Sequence, residues 1–335
     1  MIIRLSAMGD VAMSVPVIRA LIDQHPNVKV TVLSKPFLQP LFEDIPNVSF
    51  YAADVKGKHK GVAGLYRLFK ELRKLQITHV ADFHNVLRSK ILRFFFKFTS
   101  TKIAFIDKGR AEKKALTRKH NKVFKQLKTS VQRYADVLNS LGFSTSLENS
   151  KAVLRKELSQ KLIDLIDSKK KPWIGIAPFA AFDGKRYPLH LMKEVISELS
   201  KSNTVLLFGG GQKEIEILDQ WEKEFDHTIN IAGKISFAEE LNLISHLDVM
   251  LSMDSGNAHL AAAQQVKTIT LWGVTHPYAG FAPFGQPSDY CILPDLNAFP
   301  KIPCSVYGNT FFEGYDKVME TIAPKTVVEK INSLL

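Results

Sequence analysis

The first forty residues restrict the fold more tightly than any global property of the chain. Ile2 to Leu5 reads as a short apolar strand, Ser6 to Asp10 as a turn, Val11 to Gln24 as a segment of helical period, and Val28 to Leu33 as a second, β-branched strand. Strand, crossover helix and strand in so short a span make a βαβ unit, and such units require a parallel sheet covered on both faces. Further strands are predicted at Val48 to Ala52, His79 to Phe83 and Lys102 to Phe105, with helices over Gly64 to Leu75 and Ser130 to Leu141.

The same grammar restarts after Lys169-Lys170-Lys171-Pro172. Strands at Trp173 to Ala177, Thr204 to Phe208, Thr228 to Ile231, Val249 to Ser252 and Thr268 to Leu271 alternate with helical stretches. A chain of 335 residues accommodates two cores of about 150 residues each. The expectation is therefore an α/β protein of two Rossmann-like, doubly wound domains, residues 1–155 and 156–320, joined between the polar stretch Gly142 to Asn149 and the lysine run, with a last segment at 321–335.

Several classes fall away on composition. Cys291 and Cys304 are the only cysteines, too few for a disulfide framework or a cysteine-based zinc site. No apolar run approaches the roughly 18 residues of a membrane-spanning helix, and the opening MIIRLSAMGD has no signal-peptide core, so a cytoplasmic protein is expected. The net charge of +12 is concentrated between Arg88 and Lys128, where only Asp107 and Glu112 oppose many Lys and Arg. Such a surface attracts anions, whether nucleic acid, an acidic membrane or a phosphorylated glycolipid. Phe94, Phe95, Phe96 and Phe98 within it read mainly as core residues, with contact to lipid as the alternative.

In open α/β sheets ligands bind beyond the carboxyl ends of the strands, where loops lead into helix N-termini. Three such loops carry polar groups: Ser6 to Asp10, Asp183 to Pro188 and Asp254 to His259. Asp10 either caps the first helix or acts as a general base toward a hydroxyl, which typically contributes about 10²- to 10⁴-fold. Ser255 and Gly256 stand where first-turn amides either receive an ordinary cap or hold a diphosphate. His259 falls one turn further, where a histidine taken alone is more often a packed core residue than a catalytic one. Lys185 is either an exposed loop lysine or the countercharge for a departing nucleoside diphosphate. Glu214, after Gly209-Gly210-Gly211, could accept from the two hydroxyls of a ribose.

The chain has no G-x-x-x-x-G-K-[ST], no G-x-G-x-x-G after the first strand, no H-E-x-x-H and no D-x-D. P-loop phosphotransfer, the dinucleotide fingerprint, zincin chemistry and a metal-diphosphate clamp all lose support. Leaving-group charge would then fall to Lys185, basic neighbours and a helix N-terminus, with no metal expected.

Together these segments resemble glycosyltransferase family 9, the ADP-heptose:lipopolysaccharide heptosyltransferases of GT-B fold. IIRLSAMGDVAMSVPVIRAL resembles the family's first strand, S-x-x-G-D turn and helix; ADFHNVLRSK its D-x-x-x-x-x-R-S segment; GKRYP its K-x-W-P loop; FGGGQKE its glycine turn and glutamate; IAGKISFAEELNLI its A-G-K-x-S-x-x-E stretch; and SMDSGNAHLAAA its D-[ST]-G-x-x-H-x-A-A signature, followed by LWGVTHP. The resemblance runs in order over about residues 1 to 280.

It implies two domains facing a cleft and an inverting, metal-independent transfer of a sugar, heptose from ADP-heptose, onto a lipopolysaccharide core or related glycolipid. Asp10 would activate the acceptor, with Ser6, Gly9 and Arg88 lining the acceptor side. Lys185 would contact the donor diphosphate or sugar, Glu214 the ribose, Asp254 the sugar hydroxyls, and Ser255, Gly256 and His259 the phosphates. No cofactor beyond the nucleotide sugar is implied. The partners implied are that donor, an anionic glycolipid and peripheral contact with the cytoplasmic face of the inner membrane, without nucleic acid. The terminal helix would cross back to the first domain. Two departures stand out: Pro178-Phe179-Ala180-Ala181-Phe182 lacks hydroxyl residues before the lysine loop, and Tyr187 replaces a tryptophan. A nucleotide-sugar epimerase or hydrolase of the same fold, and a non-enzymatic polyanion-binding protein, are the alternatives.

Overall fold

The computed structural model describes residues 1–148, 152–166 and 172–335; the lysine run proposed as the interdomain connection lies outside them. The chain divides into two compact units, Met1–Gly109 with Lys128–Lys151, and Arg110–Leu127 with Ala152–Leu335.

In the first unit five strands, β1 (Ile2–Ile3), β2 (Val30–Ser34), β3 (Val48–Ala52), β4 (His79–Asp82) and β5 (Lys102–Phe105), are all parallel in the order β3-β2-β1-β4-β5. The helices are α1 (Met8–Ala12), α2 (Val15–Gln24), α3 (Gly61–Arg73), α4 (Leu87–Phe96) and, after the segment that joins the second unit, α6 (Ser130–Ser140). The single helix predicted from Val11 to Gln24 is broken, because Pro16 has no N–H for the carbonyl of Ala12. The chain restarts with Pro16 in the first turn of α2, and the Ser14 hydroxyl takes the Val11 carbonyl at 2.6 Å.

The second unit carries β6 (Trp173–Ala177), β7 (Thr204–Leu207), β8 (Thr228–Asn230), β9 (Val249–Met253), β10 (Lys267–Leu271) and β11 (Cys291–Ile292), again all parallel, in the order β11-β10-β9-β6-β7-β8. Its helices are α5 (Arg110–Thr117), α7 (Gln160–Ile166), α8 (Leu189–Leu199), α9 (Gln212–Glu224), α10 (Phe237–Ser245), α11 (Gly256–Ala263) and α12 (Pro324–Asn332). Relative to its first strand, this is the doubly wound order of nucleotide-binding sheets.

Two expectations about organisation change. The expected boundary at 155 ignores residues 110–127, which belong with the second unit. Leu116 and Leu127 close a small apolar cluster with Ala279, the Leu127 amide donates to the Tyr278 carbonyl at 2.9 Å, and Lys122 donates to the Pro303 carbonyl at 2.7 Å. The basic region from Arg88 to Lys128 is thus divided between the two units. The terminal helix, expected to return to the first domain, packs on α8 within the second unit, burying Val327, Val328 and Ile331 in that unit's core.

Candidate functional site

Each sheet has one switch point, where the helices on either side of neighbouring strands diverge and leave a crevice at the carboxyl ends. In the first sheet it lies at β1 and β4. The turn after β1 carries Ser6, Gly9 and Asp10, all half-buried. Asp10 does cap: the Ala7 amide donates to Oδ2 at 3.3 Å, a long bond at the mouth of α1. The same Oδ2 is paired with Arg4, a residue on the strand side that is almost entirely buried. Arg4 Nη1 is itself anchored on the Phe83 carbonyl at 2.8 Å, and its guanidinium lies 5.9 Å from the Tyr134 ring centre, whose hydroxyl donates to the Asp10 carbonyl at 3.2 Å. Arg4, a strand residue by its sequence context, therefore fixes where the Asp10 carboxylate points.

At the end of β4, Asp82 accepts from the amides of His84 and Asn85 at 2.9 and 2.8 Å and pairs with Arg93 Nε at 3.0 Å. These bonds turn the chain out of the strand, with Asn85 at a φ of 45°, so the aspartate of the D-x-x-x-x-x-R-S segment is an architectural group. Its serine, Ser89, exchanges bonds with the Val86 backbone at 3.0 Å and starts α4. Arg88 stands exposed in the first turn of α4. His84 sits in the crevice instead, its Nδ1 accepting from the Leu5 amide at 3.4 Å and Nε2 lying 3.5 Å from Ser6 Oγ. An acceptor role at Nδ1 assigns the neutral tautomer protonated on Nε2. Burial, and then the positive charge of Arg4, lower its pKa to about 3.

In the second sheet the switch point lies at β6 and β9. Asp254, directly after β9, is buried, and its Oδ2 receives both Lys185 Nζ at 2.9 Å and the Thr275 hydroxyl at 3.0 Å. Lys185 arrives from the loop after β6, whose short turn Asp183–Lys185 is backed by the Val274 amide donating to the Gly184 carbonyl at 2.8 Å. Ser255 precedes α11 without covering its first-turn amides; its hydroxyl lies 3.0 Å from that of Ser252. The head of an eight-residue helix, with Gly256 first, is thus left without a side-chain cap beside a cation and a carboxylate. His259 is buried within α11. Glu214 lies in the first turn of α9, after the glycine turn that follows β7, its Oε2 accepting from the Gly210 amide at 2.8 Å.

Several motif residues prove to be packing or capping groups. Tyr187 is fully buried and donates to the Ile322 carbonyl at 2.6 Å, so it is core and not a donor contact. Ser236 and Glu239 of the A-G-K-x-S-x-x-E stretch form a capping box at α10, the Ser236 amide donating to Glu239 at 2.7 Å. Two residues that meet Lys185 and Asp254 carry no sequence expectation. Thr275 lies in the LWGVTHP loop, where a hydroxyl just past a strand end was a usable signal. Gly308 closes on Lys185 from a segment with no motif of its own: a Cβ there would stand 2.3 Å from Lys185 Cγ. Among the described residues no cluster of three or more His, Cys, Asp or Glu is disposed to hold a metal ion, and no helix is long and apolar enough to cross a membrane.

Comparison with known proteins gives this arrangement a family. The model of glycosyltransferase family 9 (heptosyltransferase) matches residues 65–304. The lipooligosaccharide heptosyltransferase 2 of Campylobacter jejuni is 24% identical over 332 residues, 98% of this chain and 96% of that protein. Among solved structures, the family 9 glycosyl transferase of Veillonella parvula superposes with a TM-score of 0.75 at 20% identity, covering 99% of this chain and 96% of its own. The ADP-heptose LPS heptosyltransferase II of Escherichia coli gives 0.69 at 19% identity, covering 99% and 97%. The paired doubly wound units are those of the GT-B fold. By the extent of the family match, the chain is a glycosyltransferase and belongs to family 9, the heptosyltransferase family.

Proposed function

We propose that the enzyme transfers heptose from ADP-heptose to a lipopolysaccharide-type, anionic glycolipid acceptor, with inversion and without a metal ion. The second unit binds the donor. Lys185 and the uncapped head of α11, with Ser255 and Gly256, receive the diphosphate; Glu214 takes the ribose through the oxygen its Gly210 bond leaves over; Asp254 orients the sugar hydroxyls; His259 supports the phosphate side from within α11. In the first unit Asp10, aimed by Arg4, removes the acceptor proton as that oxygen attacks the anomeric carbon, while Ser6, Gly9 and Arg88 form the acceptor side. A single displacement inverts the anomeric centre. ADP departs as its charge is met by Lys185 and the helix head. The names of the Campylobacter and Escherichia relatives support heptose and a lipopolysaccharide or lipooligosaccharide acceptor. A glycolipid acceptor also implies work at the cytoplasmic face of the inner membrane.

The observation that carries the reading is the half-buried Lys185 held on the buried Asp254 and Thr275 beside the head of α11. Its test is thermal unfolding with ADP, UDP and GDP in excess chelator, followed by product analysis with ADP-heptose and a heptose-deficient lipopolysaccharide core. Ligand at about 100 times its dissociation constant stabilises by roughly 2.7 kcal/mol. A selective shift with ADP and a mass gain of one heptose on the acceptor are expected. A shift only with UDP or GDP would overturn the donor, loss of binding in chelator the metal independence, and ADP release without glycosylated acceptor the transfer itself.

A further inference from the structure

The outer faces of α3 and α4 carry a connected apolar strip that the fold does not need. Leu87 and Phe94 lie two turns apart on α4, Phe98 follows its end, and they are 73, 55 and 76% exposed. Ring centres run from Phe98 to Phe94 at 5.1 Å, on to Phe95 at 6.1 Å, and across to Tyr66 of α3 at 5.3 Å. Val62, one turn before Tyr66, is also exposed. Beneath them Phe69, Leu92 and Phe96 already fill the core of this unit. The aromatic run read from the sequence as core is therefore split, with Phe95 and Phe96 packed and Phe94 and Phe98 facing outward. Scattered exposed apolar residues are ordinary, whereas a continuous strip marks an interaction surface.

The charge around the strip has one sign. Arg67, Lys70, Lys90 and Lys97 are exposed along it, with Lys70 Nζ 4.9 Å from the Tyr66 ring centre. Between Lys60 and Lys102 the only acids are Glu71 and Asp82. Glu71 is held by Lys58 at 2.7 Å and by Tyr51 at 2.6 Å, and Asp82 is buried against Arg93. A second copy of so cationic a face would repel it, and a nucleic acid would use the cations but not Leu87, Val62 or Phe98.

We infer that this α3–α4 face docks on an anionic phospholipid bilayer, the rings and Leu87 entering the headgroup boundary while the lysines and arginines hold the lipid charges. This deepens the proposed function, since a glycolipid acceptor is presented by such a surface, yet it is tested without turnover. The full-length protein is sedimented with phosphatidylglycerol–phosphatidylethanolamine vesicles and with phosphatidylcholine vesicles. Binding to the first and not the second, weakened by salt, is expected. Phe94→Ser with Phe98→Ser should lower partitioning at least about tenfold, by the transfer energy of two rings; Lys90→Glu with Lys97→Glu should lower it similarly. Both variants should keep the wild-type melting temperature and its ADP shift. The docking surface is overturned if the wild type ignores anionic vesicles or binds phosphatidylcholine as well, if the folded variants partition like the wild type, or if duplex DNA captures the protein from the vesicles. A protein that shows no ADP shift but still loses vesicle binding on these substitutions would sink the donor assignment and leave the docking surface standing.

Discussion

Lys185 Nζ and Asp254 Oδ2 lie 2.9 Å apart at the carboxyl ends of β6 and β9, with the Thr275 hydroxyl on the same carboxylate oxygen. Both side chains are largely withdrawn from water, so removing one partner leaves the other poorly compensated. Lys185→Ala should cost about 2 to 4 kcal/mol of stability, the scale of a broken buried pair, and slow turnover by about 10² or more through the lost countercharge. Thr275→Val removes a single hydrogen bond and should cost about 1 to 2 kcal/mol with a smaller kinetic effect. Chemical denaturation and steady-state kinetics check the order; equal effects of the two substitutions would contradict a leaving-group role for Lys185.

The proposed base Asp10 and its partner Arg4 allow chemistry to be separated from positioning. Asp10→Asn keeps the shape and should reduce turnover by about 10² to 10⁴, the contribution of a general base, while the ADP-induced thermal shift stays at its wild-type size. Arg4→Lys cannot hold both the Phe83 carbonyl and the Asp10 carboxylate. It should lower kcat less than Asp10→Asn does and leave the donor KM unchanged. Near-normal turnover of the Asp10→Asn enzyme would remove Asp10 as the base.

Two buried imidazoles tie stability to pH. Burial is the main cause in both: His84 is lowered to about 3, helped by Arg4, and His276 to about 4, helped by Lys122. A histidine depressed in the folded state takes up its proton only on unfolding, so between about pH 6.5 and these values acid favours the unfolded chain. Stability should therefore be level above about pH 7 and fall as the pH drops, by about 1 to 2 kcal/mol for each group at pH 5. His84→Asn, which retains an acceptor for the Leu5 amide, should remove part of that slope in melting curves of the folded enzyme. An unchanged slope would mean that His84 is already accessible to protons.

Much of this was legible in the residues. Parallel strands follow from β-branched runs spaced by helical periods, and they bring Asp10 and Asp254 to strand ends whatever the details between. What escaped depended on contacts between distant segments. Arg4 reads as a polar interruption of a strand until Asp10 folds back onto it, and Tyr187 reads only as a replacement for a tryptophan until Ile322 takes its hydroxyl. Residues 110–127 look like a continuation of the first domain because nothing local marks their attachment to Tyr278 and Pro303. Helical periodicity recognises an apolar face but not the depth of what already lies beneath it, which is why Phe94 and Phe98 read like Phe96.

Gly308 offers the sharpest test of how the proposed donor side is built. Its φ is +79°, and an added Cβ would stand 2.3 Å from Lys185 Cγ and 2.5 Å from Cδ. The loop itself cannot easily retreat, because Ser305 Oγ accepts from the Gly308 amide at 3.0 Å and the Cys304 amide donates to the Val274 carbonyl at 2.8 Å. Lys185 would have to swing away and give up Asp254. Gly314 supplies the control, with a φ of +77° and nothing within 4 Å of the added carbon. Both Gly→Ala substitutions carry a left-handed backbone cost of about 1 to 2 kcal/mol. Gly308→Ala alone should weaken ADP binding, by about tenfold or more if the lysine makes a charge-assisted contact worth roughly 1.5 to 3 kcal/mol. Titration calorimetry with ADP on the two variants decides the matter: a matched loss would reduce Gly308 to an ordinary turn glycine, and a loss confined to Gly308→Ala would make it the wall that holds Lys185 against Asp254.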